Sequence, residues 1–123
     1  MTKRVLSVGQ CGPDHAMITT FVGQHFDAEV LSAAQWDDAL QMLEQGGVDL
    51  VLVNRKLDLD YSDGLEIIRR IKADTRFGKI PCILVTNYAE HQQAAIKAGA
   101  EPGFGKNQYG DPATREKVAR FLE

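Results

Sequence analysis

Cysteine is scarce in this chain: two in 123 residues, Cys11 and Cys82. Two separate thiols make no disulfide framework, so an apolar core has to hold the fold. No apolar run approaches the roughly 20 residues that a membrane-crossing helix needs, and the N-terminus lacks a basic stretch followed by an apolar one. Surplus positive charge is also missing, since 14 Lys and Arg stand against 17 Asp and Glu for a formal net charge of −3. Without a basic field there is no counterion release to draw the chain onto nucleic acid. These absences predict no membrane segment, no direct nucleic-acid partner and a reducing, cytoplasmic setting.

What is present is an ordinary globular composition, 44% hydrophobic and 25% charged. At this length a single domain over residues 1–123 buries about two thirds of its unfolded surface. Strand and helix patterns alternate along it. Arg4 to Val8 reads as a strand stopped by Gly9, and Gly12-Pro13-Asp14 opens a helix with Met17, Phe21 and Val22 at helical spacing. Ala28 to Ala33 is a weaker strand, and a helix with Trp36, Ala39, Leu40 and Leu43 on one stripe runs to Gly46-Gly47. Val48 to Val53 is the most apolar run and reads as a buried central strand. Ser62-Asp63-Gly64 then starts a helix that points Leu65, Ile68 and Ile71 inward, with Arg69, Arg70 and Lys72 near its end. Ile80 to Thr86 is a fourth strand, His91 to Ala98 a short helix, Gly103 to Gly105 a brief fifth strand, and Asp111-Pro112 caps a last helix docked by Val118, Phe121 and Leu122. Right-handed crossovers turn five such pairs into a flavodoxin-like (βα)5 three-layer α/β sandwich, with a parallel sheet in the order 2-1-3-4-5.

In such a sheet chemistry sits at the carboxyl ends of the strands, and here the central strand delivers an amide, Asn54. An amide is neither a nucleophile at neutral pH nor a substitute for an anionic metal ligand. Val48 to Val53, Asp63-Gly64-Leu65-Glu66-Ile67-Ile68, Ile80 to Thr86, and Ala98-Gly99-Ala100 followed by Lys106 together resemble the response-regulator receiver domain, over essentially the whole chain. In that family an aspartate ending the third strand accepts a phosphoryl group, two acids after the first strand hold Mg²⁺, and a hydroxyl and a lysine complete the site. The resemblance puts Asn54 at the acceptor position, Gly9 and Gln10 at the acidic pair, Thr86 at the hydroxyl and Lys106 at the lysine. All three carboxylates are missing. Two extra residues lie between Asn54 and Asp63, Asn107 replaces the usual proline, and Gly103 replaces the usual aromatic, with Phe104 one place later. The resemblance therefore implies no metal, no cofactor and no catalysis. It implies a stand-alone signalling module of a bacterial two-component or phosphorelay system that docks a histidine kinase, another regulator or a second copy of itself, homodimerisation included. Its surface would use the fourth helix, fifth strand and fifth helix, with Tyr88, His91, Phe104 and Tyr109 as contacts.

Plainer readings stand beside these. Asn54 serves equally as a strand-end amide pairing with backbone, and Thr86 as a strand-end hydroxyl. Lys106 has three outcomes: solvent, pairing with Asp58 or Asp60, or an anionic ligand. Asp58 or Asp60 could be an unorthodox phosphoacceptor, although Leu57 to Asp63 also reads as a solvated loop with a helix cap. The Thr86 and Lys106 edge could instead bind a small anion. Cys11 precedes a helix start with His15 one turn on, but no further partner completes a thiol site, and a half-buried structural cysteine is the favoured reading. Cys82 is read as core, Trp36 as packing, and His25 and His91 as surface residues.

Overall fold

The computed structural model describes residues 2–123. β1 (Lys3–Val8), β2 (Ala28–Ala33), β3 (Leu50–Asn54) and β4 (Cys82–Val85) form one parallel sheet in the order β2-β1-β3-β4. The helices are α1 (Gly12–His25), α2 (Trp36–Gln45), α3 (Gly64–Ala73), α4 (Ala89–Lys97) and α5 (Pro112–Leu122). Every strand contributes to both faces because side chains alternate along it. Leu6, Val8, Val51, Val53 and Leu84 pack with Leu43, Leu65, Ile68, Ile71 and Ala95 from α2, α3 and α4. Val5, Leu50, Leu52, Ile83 and Val85 pack with Ile18, Phe21, Val22, Val118 and Leu122 from α1 and α5. A central strand covered on both faces must be apolar throughout, which is why β3 carries no polar residue before Asn54. Each fully buried Leu, Ile or Val in it contributes about 1.5 to 3 kcal/mol.

The helix starts follow the expected chemistry at two places. The Asp63 carboxylate accepts from the Leu65 N–H at 2.9 Å and caps α3, and Asp111 accepts from the Ala113 N–H at 3.0 Å and caps α5. Elsewhere the structure departs from the sequence pattern. In α1 the inward residue is Ile18, fully buried, while Met17 is 46% exposed. The segment at Gly103 to Gly105 forms no regular strand. A single parallel bridge between Val85 and Phe104 holds it beside β4, at the position of a fifth strand. Its two glycines contribute no side chains to pack on the pleat, so the ladder stops after one rung. Pro81 precedes β4 and costs it no hydrogen bond, which shortens the strand expected from Ile80.

Candidate functional site

Asn54 ends β3 and is 9% exposed. Its Nδ2 donates to the Lys56 carbonyl at 2.7 Å and more weakly to the Gly9 carbonyl at 3.4 Å. The amide thus ties the end of β3 to the end of β1. An aspartate here would present only acceptors to those two carbonyls.

Gly9 has φ of +76°, a conformation that favours glycine. A Cβ built on it would fall 2.3 Å from Leu57 Cδ2 and 3.1 Å from Leu57 Cα. Leu57 is 3% exposed and belongs to the α2–α3 side of the core. It is brought there by the lengthened loop after β3, which is closed by an antiparallel bridge between Lys56 and Asp63 and folds back so that the Asp58 N–H donates to the Gly9 carbonyl at 2.9 Å. A leucine therefore fills the space that a side chain at position 9 would need. At Gln10, both amide atoms are buried without a protein partner.

Asp58 and Asp60 are exposed and do not pair with Lys106. Asp60 accepts from the Ser62 hydroxyl at 2.6 Å and the Ser62 N–H at 2.9 Å, bonds that hold its carboxyl below the ordinary value. It faces a cleft with Trp36, Leu57, Glu66 and Arg70, separate from the cavity that Thr86 and Lys106 share.

Lys106 binds Asp14, in the first turn of α1, with Nζ 2.5 Å from the carboxylate. Partial burial raises the Asp14 carboxyl, but hydrogen bonding from Lys106 and the Cys11 thiol, with the lysine charge, outweighs burial and lowers it below 3.8. A carboxyl lowered by folding contributes stability above its unfolded value, and that contribution vanishes as pH falls through the lowered value. Asp14→Asn is accordingly expected to lose less than about 1 kcal/mol at neutral pH, the pair being partly exposed, and nothing in strong acid. Urea midpoints at pH 7 and pH 2.5 check this; an equal loss at both would show that the ion pair is not the cause. Cys11 is half-buried, and the fully buried Cys82 thiol is pushed up to about 12 by burial, which leaves it inert.

Thr86 Oγ1 accepts from the Tyr88 N–H at 3.3 Å and lies 3.4 Å from His91 Nδ1. Tyr88 is 62% exposed and stands edge-on to His91, with ring centroids 5.4 Å apart. Two expected contact residues are placed differently. Phe104 is 1% exposed, packed against Phe21 and Tyr109, because its side chain points to the α1–α5 face of the sheet. Tyr109 is half-buried on that same cluster, and burial raises its phenol. Both side chains belong to the cluster on the α1–α5 face.

One residue had no signal in the sequence. Gln92, on α4, places Nε2 within hydrogen-bond distance of the carbonyls of Leu84 (2.8 Å), Thr86 (3.2 Å) and Phe104 (3.4 Å), while its Oε1 accepts from the Gly103 N–H at 3.1 Å. A Cβ at Gly103 would meet the Leu84 carbonyl at 2.7 Å and Gln92 Oε1 at 2.8 Å. The amide fills the space beside Gly103 and fastens α4 to the sheet edge.

Hard cations need several oxygen ligands, and Gly9, Gln10 and Asn54 offer no carboxylate among them. Among the described residues no group of three or more His, Cys, Asp or Glu converges to hold a metal ion. The residues present do not fit Mg²⁺ at this edge.

The parallel sheet, the retained Thr86 and Lys106 and the order of elements define a receiver-type domain. The family model for the response regulator receiver domain matches residues 13–109, and the chain belongs to that family. The matched stretch begins after Gly9 and Gln10. The chain is 26% identical over 102 residues to the chemotaxis protein CheY of Pseudomonas aeruginosa, covering 79% of this chain and 80% of that protein. Among solved structures it resembles the signal receiver domain of a DNA binding response regulator from Colwellia psychrerythraea 34H, with a TM-score of 0.81, 22% identity and 96% of each chain covered. It also resembles a CheY-like receiver domain from Methylobacillus flagellatus, with a TM-score of 0.77, 15% identity and full coverage of both chains.

Proposed function

We propose that this receiver domain signals by docking a protein partner and does so without an aspartyl phosphate. The observation that carries the reading is the closed strand edge: Asn54 spends its amide on two backbone carbonyls, and Leu57 occupies the room beside Gly9. Phosphoryl transfer needs an acceptor and charge neutralisation, and this edge supplies neither a carboxylate acceptor nor a cation cage. No catalytic step is assigned to the chain. The partner is a histidine kinase, another regulator or a second copy, met in the cytoplasm; among the described residues no helix is long and apolar enough to cross a membrane.

The docking face we assign is the outer side of α4, where Tyr88 and Ile96 are exposed and His91 is half-buried. Gln92 holds that helix to Leu84, Thr86 and Phe104, so the face is presented in one fixed arrangement.

Incubation with a small acyl phosphate and Mg²⁺, followed by intact-mass analysis, tests the reading. The expected spectrum shows the unmodified chain only. A phosphoryl adduct that disappears in Asp58→Ala or Asp60→Ala would replace this reading with phosphorylation at an unorthodox acid.

A further inference from the structure

We infer that the cleft between α2 and α3, beside the lengthened loop after β3, is a second docking surface, fitted to a basic amphipathic segment of a partner protein. No residue of α4 lines it, so this assignment and the α4 face fail separately. The cleft measures ≈ 290 Å³. Trp36 and the buried Leu57 and Ile67 give it an apolar floor. The exposed acids Asp60, Asp63 and Glu66 stand at its rim with a single cation, Arg70.

The loop exposes apolar side chains and holds them in place. Leu59 is 59% and Tyr61 75% exposed, one on each side of Asp60 in the chain. Tyr61 has φ of +59°, a left-handed conformation that is unfavourable for a bulky residue. The loop enforces it: the Leu57 N–H donates to the Ser62 carbonyl at 2.9 Å, the Tyr61 N–H donates to the Leu57 carbonyl at 2.8 Å, and Asp60 accepts twice from Ser62. An aromatic residue held in solvent on a braced loop has little backbone freedom left to lose on binding. Such aromatics carry much of the energy of protein interfaces.

Charge sets the kind of segment that fits. Asp58, Asp60 and Asp63 are exposed, and among the described residues none of them has a cationic partner, whereas Glu66 pairs with Arg69. Arg55 and Lys56, the nearest cations in the chain, line the cavity shared with Thr86 and Lys106 instead. Three free carboxylates against Arg70 attract an incoming positive charge and repel a nucleic acid or an anionic membrane surface. The cleft already seats one guanidinium, since Arg70 lies over the Trp36 ring, 5.6 Å from its centroid. A segment with lysine or arginine on one face meets the acids, and aliphatic side chains on its other face meet Leu59, Tyr61 and the cleft floor.

Trp36 is the single tryptophan of the chain, so intrinsic fluorescence reads the cleft directly. Titration of the full chain with a synthetic amphipathic peptide of leucine and lysine is expected to give a saturable blue shift that weakens as salt rises. The same peptide with glutamate in place of lysine should give none. Leu59→Ser with Tyr61→Gly removes the apolar pair, keeps every acid and relieves the left-handed φ, so the variant folds; it should bind about tenfold more weakly. Asp58→Asn with Asp60→Asn keeps an acceptor for Ser62 and should weaken binding by a similar factor while flattening the salt dependence. Tyr88→Ala should bind as the native chain does, which separates this surface from α4. No saturable shift with the lysine peptide, an equal shift with the glutamate peptide, undiminished binding by the loop variant, or loss of binding in Tyr88→Ala overturns the inference. A Trp36 signal that changes with protein concentration alone would assign the surface to a second copy of the chain and overturns it too.

Discussion

Aspartates installed together at Gly9, Gln10 and Asn54 are expected to leave the chain unphosphorylated and to cost about 3 to 5 kcal/mol of stability. Two contributions set that magnitude. A non-glycine residue at the positive φ of position 9 costs about 1 to 2 kcal/mol, and expelling Leu57 from its buried place forfeits about 1.5 to 3 kcal/mol of apolar burial. Clustered carboxylates add repulsion in the absence of a cation, and Asn54→Asp severs the bonds to the Gly9 and Lys56 carbonyls. Urea unfolding and intact mass after acyl phosphate treatment with Mg²⁺ read the two halves of the prediction. A stable, phosphorylated triple variant would show that the loop yields readily and that Leu57 does not guard the edge.

The mechanism makes a sharper demand on pairs. Leu57→Ala should cost about 2 to 4 kcal/mol in the native chain, as a buried leucine does. In the Gly9→Asp background it should cost at least about 1 kcal/mol less, because the leucine has already been displaced. Additive costs would mean that the loop and position 9 are independent. On this account the glycine at 9 and the longer loop are one change seen at two sites, and carboxylates cannot return without shortening the loop.

Most of the architecture was legible because burial dictates periodicity. β3 reads as a central strand from its unbroken apolar run, and α3 from Leu65, Ile68 and Ile71 at helical spacing. α1 was harder: Met17 and Ile18 are adjacent and equally apolar, and only tertiary packing decides that Ile18 turns inward. The fifth strand reads from an apolar residue between two glycines, which signals extended backbone and says nothing about how many rungs form; the segment lies at the expected edge, bridged to β4 at Val85 and Phe104. At the site, the family resemblance points to Asn54, Thr86 and Lys106, and the three line one cavity. It does not point to their partners. Asp14 meets Lys106 across 92 positions of sequence, Leu57 reaches Gly9 through a loop whose length gives no path, and Gln92 looks like any exposed helical amide. Long-range pairing of polar groups leaves no periodic trace, which is why those three residues emerge only in three dimensions.

Phe104→Ala is expected to destabilise the domain by about 3 to 5 kcal/mol, while Tyr88→Ala changes it by no more than about 0.5 kcal/mol. Both aromatics were candidates for a partner surface on sequence grounds, and burial separates them: 1% exposure against 62%. Phe104 packs beside Phe21 and Tyr109, with ring centroids 6.4 and 5.6 Å away, and its backbone supplies the bridge to Val85 and the carbonyl that accepts from the Thr86 N–H at 3.0 Å. Truncating it opens a cavity beneath the segment that carries Lys106, so the loss spreads from the core to the functional edge. The Tyr88 ring stands edge-on to His91 and is mostly exposed, so its removal should leave the urea midpoint in place while weakening capture of a docking partner. Equal stability losses for the two variants would mean that the face around α4 is structural. A Phe104→Ala chain as stable as the native one would mean that the edge beside β4 is held by its backbone bonds alone.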